Sequence, residues 1–126
     1  MQSITVKYIV TAAIGVLCCA GCHRPAAEAP APLPVEQVAP AVRQAFASAD
    51  EDIKSEASQC ETAAQNNDWP GVFAQLRQLR SHPELTEEQR ATLARIQLTT
   101  VQQLNDSAAK GDDSAAAAMS DYKASR

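Results

Sequence analysis

Four cysteines and two histidines are the side chains of this 126-residue sequence with the widest chemical range. Cys19, Cys22 and His23 fall in the spacing C-x-x-C-H, where two thiols can bond the vinyl groups of a haem and the imidazole can bind its iron. The surroundings oppose that use. Cys19 lies inside an apolar run that export processing would remove, and Arg24-Pro25-Ala26-Ala27 followed by Pro30, Pro32 and Pro34 cannot extend a helix beneath a haem. The expectation is therefore no cofactor, with haem c as the alternative and Met119 the one methionine placed to oppose His23. Cys60 recurs at helical spacing among apolar residues, which predicts a buried, inert thiol over a nucleophile or an intermolecular disulfide. Two histidines and one remaining thiol, with no paired spacing, make a poor metal set. Glu87-Glu88 and Asp112-Asp113 stand at helix starts, where their plain role is to face the positive end of the helix dipole rather than to move protons. Gly71 and Gly111 stand alone, so no loop cradles phosphate. A non-enzyme is expected.

The totals allow one small domain. Hydrophobic residues make up 45% of the chain and aromatics 4%, and much of the apolar share is alanine, a strong helix former that fills a core poorly. The fold class expected is all-α, a small antiparallel hairpin or bundle of three to four helices. Fifteen acidic residues against eleven basic ones give a net charge of -4. Interspersed charges without a basic stripe exclude nucleic acid as the expected partner and electrostatic adhesion to anionic lipid as the means of membrane attachment.

Something else must then hold the chain at a surface, and the first residues supply it. Lys7 is the one charge before Cys22, and Tyr8 to Gly21 is an uncharged, mostly apolar run. It is shorter than the about 20 residues a membrane-spanning helix needs and suits the apolar part of an export signal. Its end, Cys19-Ala20-Gly21-Cys22, resembles the lipobox of bacterial lipoproteins, with Cys19 standing where that family usually has leucine. The resemblance implies cleavage between Gly21 and Cys22 and a diacylglycerol on the Cys22 sulfur. His23, being other than aspartate, implies the outer membrane, facing the periplasm. Residues 1–21 are then the signal segment, 22–40 the anchor and a Pro/Ala linker of polyproline II character, and 41–126 the helical domain.

Within that domain Val42, Phe46, Ala49, Ile53, Ala57, Cys60 and Ala64 recur at spacings of three and four, predicting a first helix from Pro40 to about Gln65. Asn66-Asn67-Asp68 ends it, and Asp68 caps a second helix with Pro70 in its first turn. Trp69, Val72, Phe73, Leu76 and Leu79 form the second helix's apolar face, and Ser81-His82-Pro83 stops it. Thr86-Glu87-Glu88-Gln89 is a capping box for a third helix reaching about Lys110 and closed by Gly111. Its inward set is Leu93, Ile96, Val101 and Leu104, with Leu98 off the stripe. Asp112 or Asp113 starts a short last helix through Ala115–Tyr122.

Asn67-Asp68-Trp69, the second helix and Pro83 resemble part of a tetratricopeptide repeat over about residues 47–83, with Asn67 where that family has glycine. A lone repeat cannot bury its own face, so the remaining helices or another chain must cover it. In that family the concave face takes peptide segments of other proteins. The resemblance therefore implies a protein-binding or adaptor module, and Trp69, Phe73 and Leu76 are its contact or core residues. A self-associating structural lipoprotein, joined as a homo-oligomer through the first helix's stripe, is the alternative of a different class.

Overall fold

The computed structural model describes residues 28–126. Five helices follow one another among the described residues: α1 (Val35–Ala45), α2 (Glu51–Gln65), α3 (Trp69–Arg80), α4 (Glu87–Ala109) and α5 (Asp113–Ala124). There is no strand among the described residues, so the class is all-α, as the alanine-rich, glycine-poor composition predicts. The expected leader, lipidation and cleavage positions at Gly21 and Cys22, and the haem set Cys19, Cys22 and His23, lie outside the described residues.

The first predicted helix, Pro40 to Gln65, is two helices. Pro40 lies inside α1 rather than at its start. It lacks an N–H, and the carbonyl four residues back belongs to Glu36; both residues are exposed, so water can replace the missing bond. Val38, Val42 and Phe46 are buried at the spacing of one helical face. The chain then turns over 46–50, with the Ala49 N–H donating to the Phe46 carbonyl at 3.1 Å. Asp50 adopts an extended φ of -62° and ψ of 157°, and Glu51 and Asp52 follow it at the positive end of the α2 dipole.

The linker is likewise shorter than its composition suggests, and the folded body reaches back past residue 41. Leu33 is buried against the core. The Thr99 hydroxyl donates to the Leu33 carbonyl at 2.6 Å and the Arg95 Nε to the Ala31 carbonyl at 3.0 Å. Two side chains one turn apart on α4 thus hold the segment that leads into α1.

Helices α2 and α4 end alike. After α2, Asn67 takes a φ of 55°; its N–H donates to the Ala64 carbonyl at 3.1 Å and that of Asp68 to the Ala63 carbonyl at 2.9 Å. After α4, Gly111 takes a φ of 94°, with the Gly111 and Asp112 N–H groups donating to Ala108 and Ser107 at 3.0 and 3.1 Å. Each is a Schellman ending, which turns the chain sharply and satisfies the last carbonyls. Asp68 then accepts from the Gly71 N–H at 3.0 Å. A Cβ on Gly71 would sit 2.2 Å from the Asp68 Oδ2, so the absent side chain is what lets the carboxylate fold over the first turn of α3. The Thr86–Gln89 capping box forms in both directions, and the Gln89 amide also donates to the Ala45 carbonyl at 3.1 Å, joining the start of α4 to the end of α1.

Helix α2 packs between α1 and α3, and α4 lies across α1, α3 and α5, with α5 also reaching α3. The core takes Ile53, Ala57, Cys60 and Ala64 from α2 and all five predicted apolar residues of α3. From α4 it takes Leu93, Ile96 and Leu104 together with Thr99 and Thr100. Val101, expected inward, is only half-buried, and the two threonines hold the inward positions instead. They can do so because each hydroxyl is satisfied: Thr99 on Leu33, and Thr100 on the Ile96 carbonyl at 2.8 Å. Leu98 lies off the stripe as expected, and is 39% exposed.

Candidate functional site

Of the three residues expected to make contacts or core, Trp69 is covered to within 5% and serves packing. Phe73 and Leu76 are also buried, but each shows an edge at the wall of a cavity of about 270 Å³ where α3, α4 and α5 meet. Phe73 and Leu76 come from α3 and Tyr122 from α5. The rings of Phe73 and Tyr122 meet edge to face, with centroids 6.2 Å apart at 84°, an arrangement aromatic pairs prefer. Tyr122 is the half-buried member of this apolar floor, and Phe73 and Leu76 show only edges beside it.

Around it stand cations. Arg77 and Arg80 lie three residues apart on α3 and so share a face; both line the cavity. Arg126 closes the far side, its guanidinium carbon 5.6 Å from the Tyr122 ring centroid, within cation–π range. Gln97 of α4 accepts from Arg80, and Ser125 completes the rim. Guanidinium groups offer donors in a planar fork, so the groups gathered here can recognise negative charge and an apolar side chain together. The sequence shows only Arg77 and Arg80 as a helical pair. The rest is joined by three helices distant along the chain, which is why the charges read as interspersed.

A second polar cluster joins α2 to the end of α3. His82 Nε2 lies 2.8 Å from Glu56 Oε2, its Nδ1 is 3.7 Å from Glu84, and the Gln78 amide donates to Glu56 at 3.0 Å. His82, which the sequence leaves without a neighbour, is thus held between two carboxylates. The hydrogen bond to Glu56 raises the imidazole pKa above its ordinary value; burial opposes this, and the charges of Glu56 and Glu84 reinforce it. The folded chain therefore holds this proton more tightly than the unfolded one. The stability it confers is full below about pH 6.5 and is lost as pH rises through the folded value. The urea midpoint of wild type should exceed that of His82→Gln most below about pH 6.5 and fall toward it as the pH rises above that value. A gap constant across that window would refute the pairing.

Cys60, by contrast, is fully enclosed. Burial pushes its thiol up to about 12, so it sits in the core as the thiol, as its place in the stripe predicts. That stripe is consumed inside the chain: Val42, Phe46, Ile53, Ala57, Cys60 and Ala64 are all buried and offer no surface to a second copy. No group of three or more potential metal ligands is present among the described residues, and no helix among them is long and apolar enough to cross a membrane. No family model, curated protein or solved structure matches the chain.

Proposed function

We propose that the chain is a non-enzymatic, protein-binding module tethered by lipid in the bacterial cell envelope, on the periplasmic face of the outer membrane. The observation that carries it is an order of parts. An uncharged apolar run ends in Ala20-Gly21-Cys22, a proline-spaced stretch follows, and a folded body begins at Leu33. Two or three acyl chains on Cys22, each buried CH₂ contributing about 0.8 kcal/mol, make a durable anchor. With an acidic chain that anionic lipid repels, the acyl chains alone supply attachment.

Binding rather than catalysis suits the body. The α3–α5 cavity gathers hydrogen-bond donors and aromatic edges, and its lining contains neither carboxylate side chain nor imidazole. The likeness to a tetratricopeptide repeat supports the same reading. The α2 and α3 pair is joined through the Asn67 turn, while α1 and α4 cover its two sides, as a lone repeat requires. Mass spectrometry of the mature N-terminus tests the anchor. The expected product begins at Cys22 and carries two or three acyl chains. A Cys22→Ser chain should carry no acyl chains and keep its leader uncleaved. An unmodified Cys22 peptide, or a serine variant that still sediments with membranes after normal processing, removes the proposal.

A further inference from the structure

We infer that the α3–α5 groove binds an acidic segment of another protein, its carboxylates on Arg77 and Arg80 and an apolar side chain on the Phe73–Tyr122 floor. The argument starts from how the chain allots its arginines. Arg43 pairs with Glu61. Arg90 and Arg95 donate to the Pro83 and Ala31 carbonyls at 2.9 and 3.0 Å. Arg77, Arg80 and Arg126 have no carboxylate within ion-pair distance among the described residues, and these three converge on one cavity.

In a chain of net charge -4, like charges gathered without an internal carboxylate, Arg80 being held only by the Gln97 amide oxygen and Arg126 by the Tyr122 ring, repel one another and are best relieved by an anion from outside. Two features select among anions. The forked guanidinium groups, three residues apart on one helix face, suit planar carboxylates held two-pronged. The apolar floor beneath them would stay wet under a bare inorganic anion, whereas a segment alternating acidic and apolar residues covers both. A cavity of about 270 Å³ admits one or two side chains and not a flat bilayer surface. The identity of the occupant as a protein rests on the proposed binding function; the preference of the groove for carboxylate beside apolar surface does not.

The test uses the full chain in detergent and a fluorescein-labelled peptide alternating Glu and Leu, read by anisotropy. Saturable binding is expected, weakened about tenfold, ~1.4 kcal/mol, by the double change Arg77→Gln and Arg80→Gln. Both side chains are exposed, so far-UV circular dichroism should show the helices intact. Arg43→Gln, which removes an arginine already paired, should leave peptide affinity unchanged, and a Lys/Leu peptide should not bind. Binding should also weaken steeply with added salt. The inference is overturned if the Glu/Leu peptide fails to saturate, or if the double variant binds it as tightly as wild type. It is equally overturned if inorganic phosphate displaces the peptide at matching concentration, or if phosphatidylglycerol vesicles bind where the peptide does not. None of these outcomes touches the acylation of Cys22, which is read by mass alone.

Discussion

Replacing Trp69 with alanine is expected to cost about 3–5 kcal/mol of folding free energy, the usual loss for a large aromatic removed from a core. Trp69 opens α3 and is covered to within 5% at the turn where α2 hands over to α3. Alanine-rich α2 and α5 have little bulk with which to refill the space. Small domains hold only about 5–15 kcal/mol in total, so the variant should be largely or wholly unfolded at modest urea. Far-UV circular dichroism of the full chain across a urea series measures this. Wild type carries an internal check, since Trp69 is its single tryptophan and its emission should shift to the red over the same transition. Leu98→Ala, at a side chain 39% exposed, should change stability by no more than about 0.5 kcal/mol. If Trp69→Ala were as mild as Leu98→Ala, the packing of α3 described above would be wrong.

The second large effect is kinetic. A thiol pushed up to about 12 holds on the order of a thousandfold less thiolate near pH ~8 than an ordinary one, and thiolate is the species that reacts. Enclosure adds a steric barrier. Alkylation of Cys60 by iodoacetamide, followed by mass spectrometry of its peptide, should therefore be negligible in the folded chain. It should rise with urea along the same curve as the loss of helix, because opening the core is what exposes the sulfur. Rapid labelling in native buffer, or a Cys60–Cys60 linkage in purified protein, would contradict the placement of α2.

Much of the helical body was legible because its punctuation is local. Asp68, the Thr86–Gln89 box, Gly111 and Asp112 each act through hydrogen bonds within a few residues, so type and spacing suffice to place them. Three boundaries were not legible, each for its own reason. Val42, Phe46, Ala49 and Ile53 keep helical spacing straight through the 46–50 turn, since α1 and α2 present consecutive parts of one apolar stripe to one core. Pro40 reads as a helix start by local preference, and the exposed side of α1 tolerates it inside. The end of the linker was hidden too, because Leu33 is fixed by Thr99, 66 positions along the chain. The groove needed the fold itself: Arg80, Gln97, Tyr122 and Arg126 meet only once α4 and α5 have folded over α3. His82 and Glu56, 26 positions apart, are invisible to any local pattern for the same reason.

The grip of Arg95 and Thr99 on the chain at Ala31 and Leu33 sets the length of the leash. If Cys22 carries acyl chains as proposed, nine residue steps separate it from Ala31, a contour of at most about 30 Å. A leash running to Pro40 would reach roughly twice as far. Under that proposal the body would hover close above the headgroups and patrol a narrow zone, raising the effective concentration of its groove for whatever lies in that zone. Ala31 and Leu33 meet α4 at Arg95 and Thr99, inside that helix rather than at its ends. Cutting those two bonds, by Arg95→Ala with Thr99→Val, would let the body roam farther out without altering the groove.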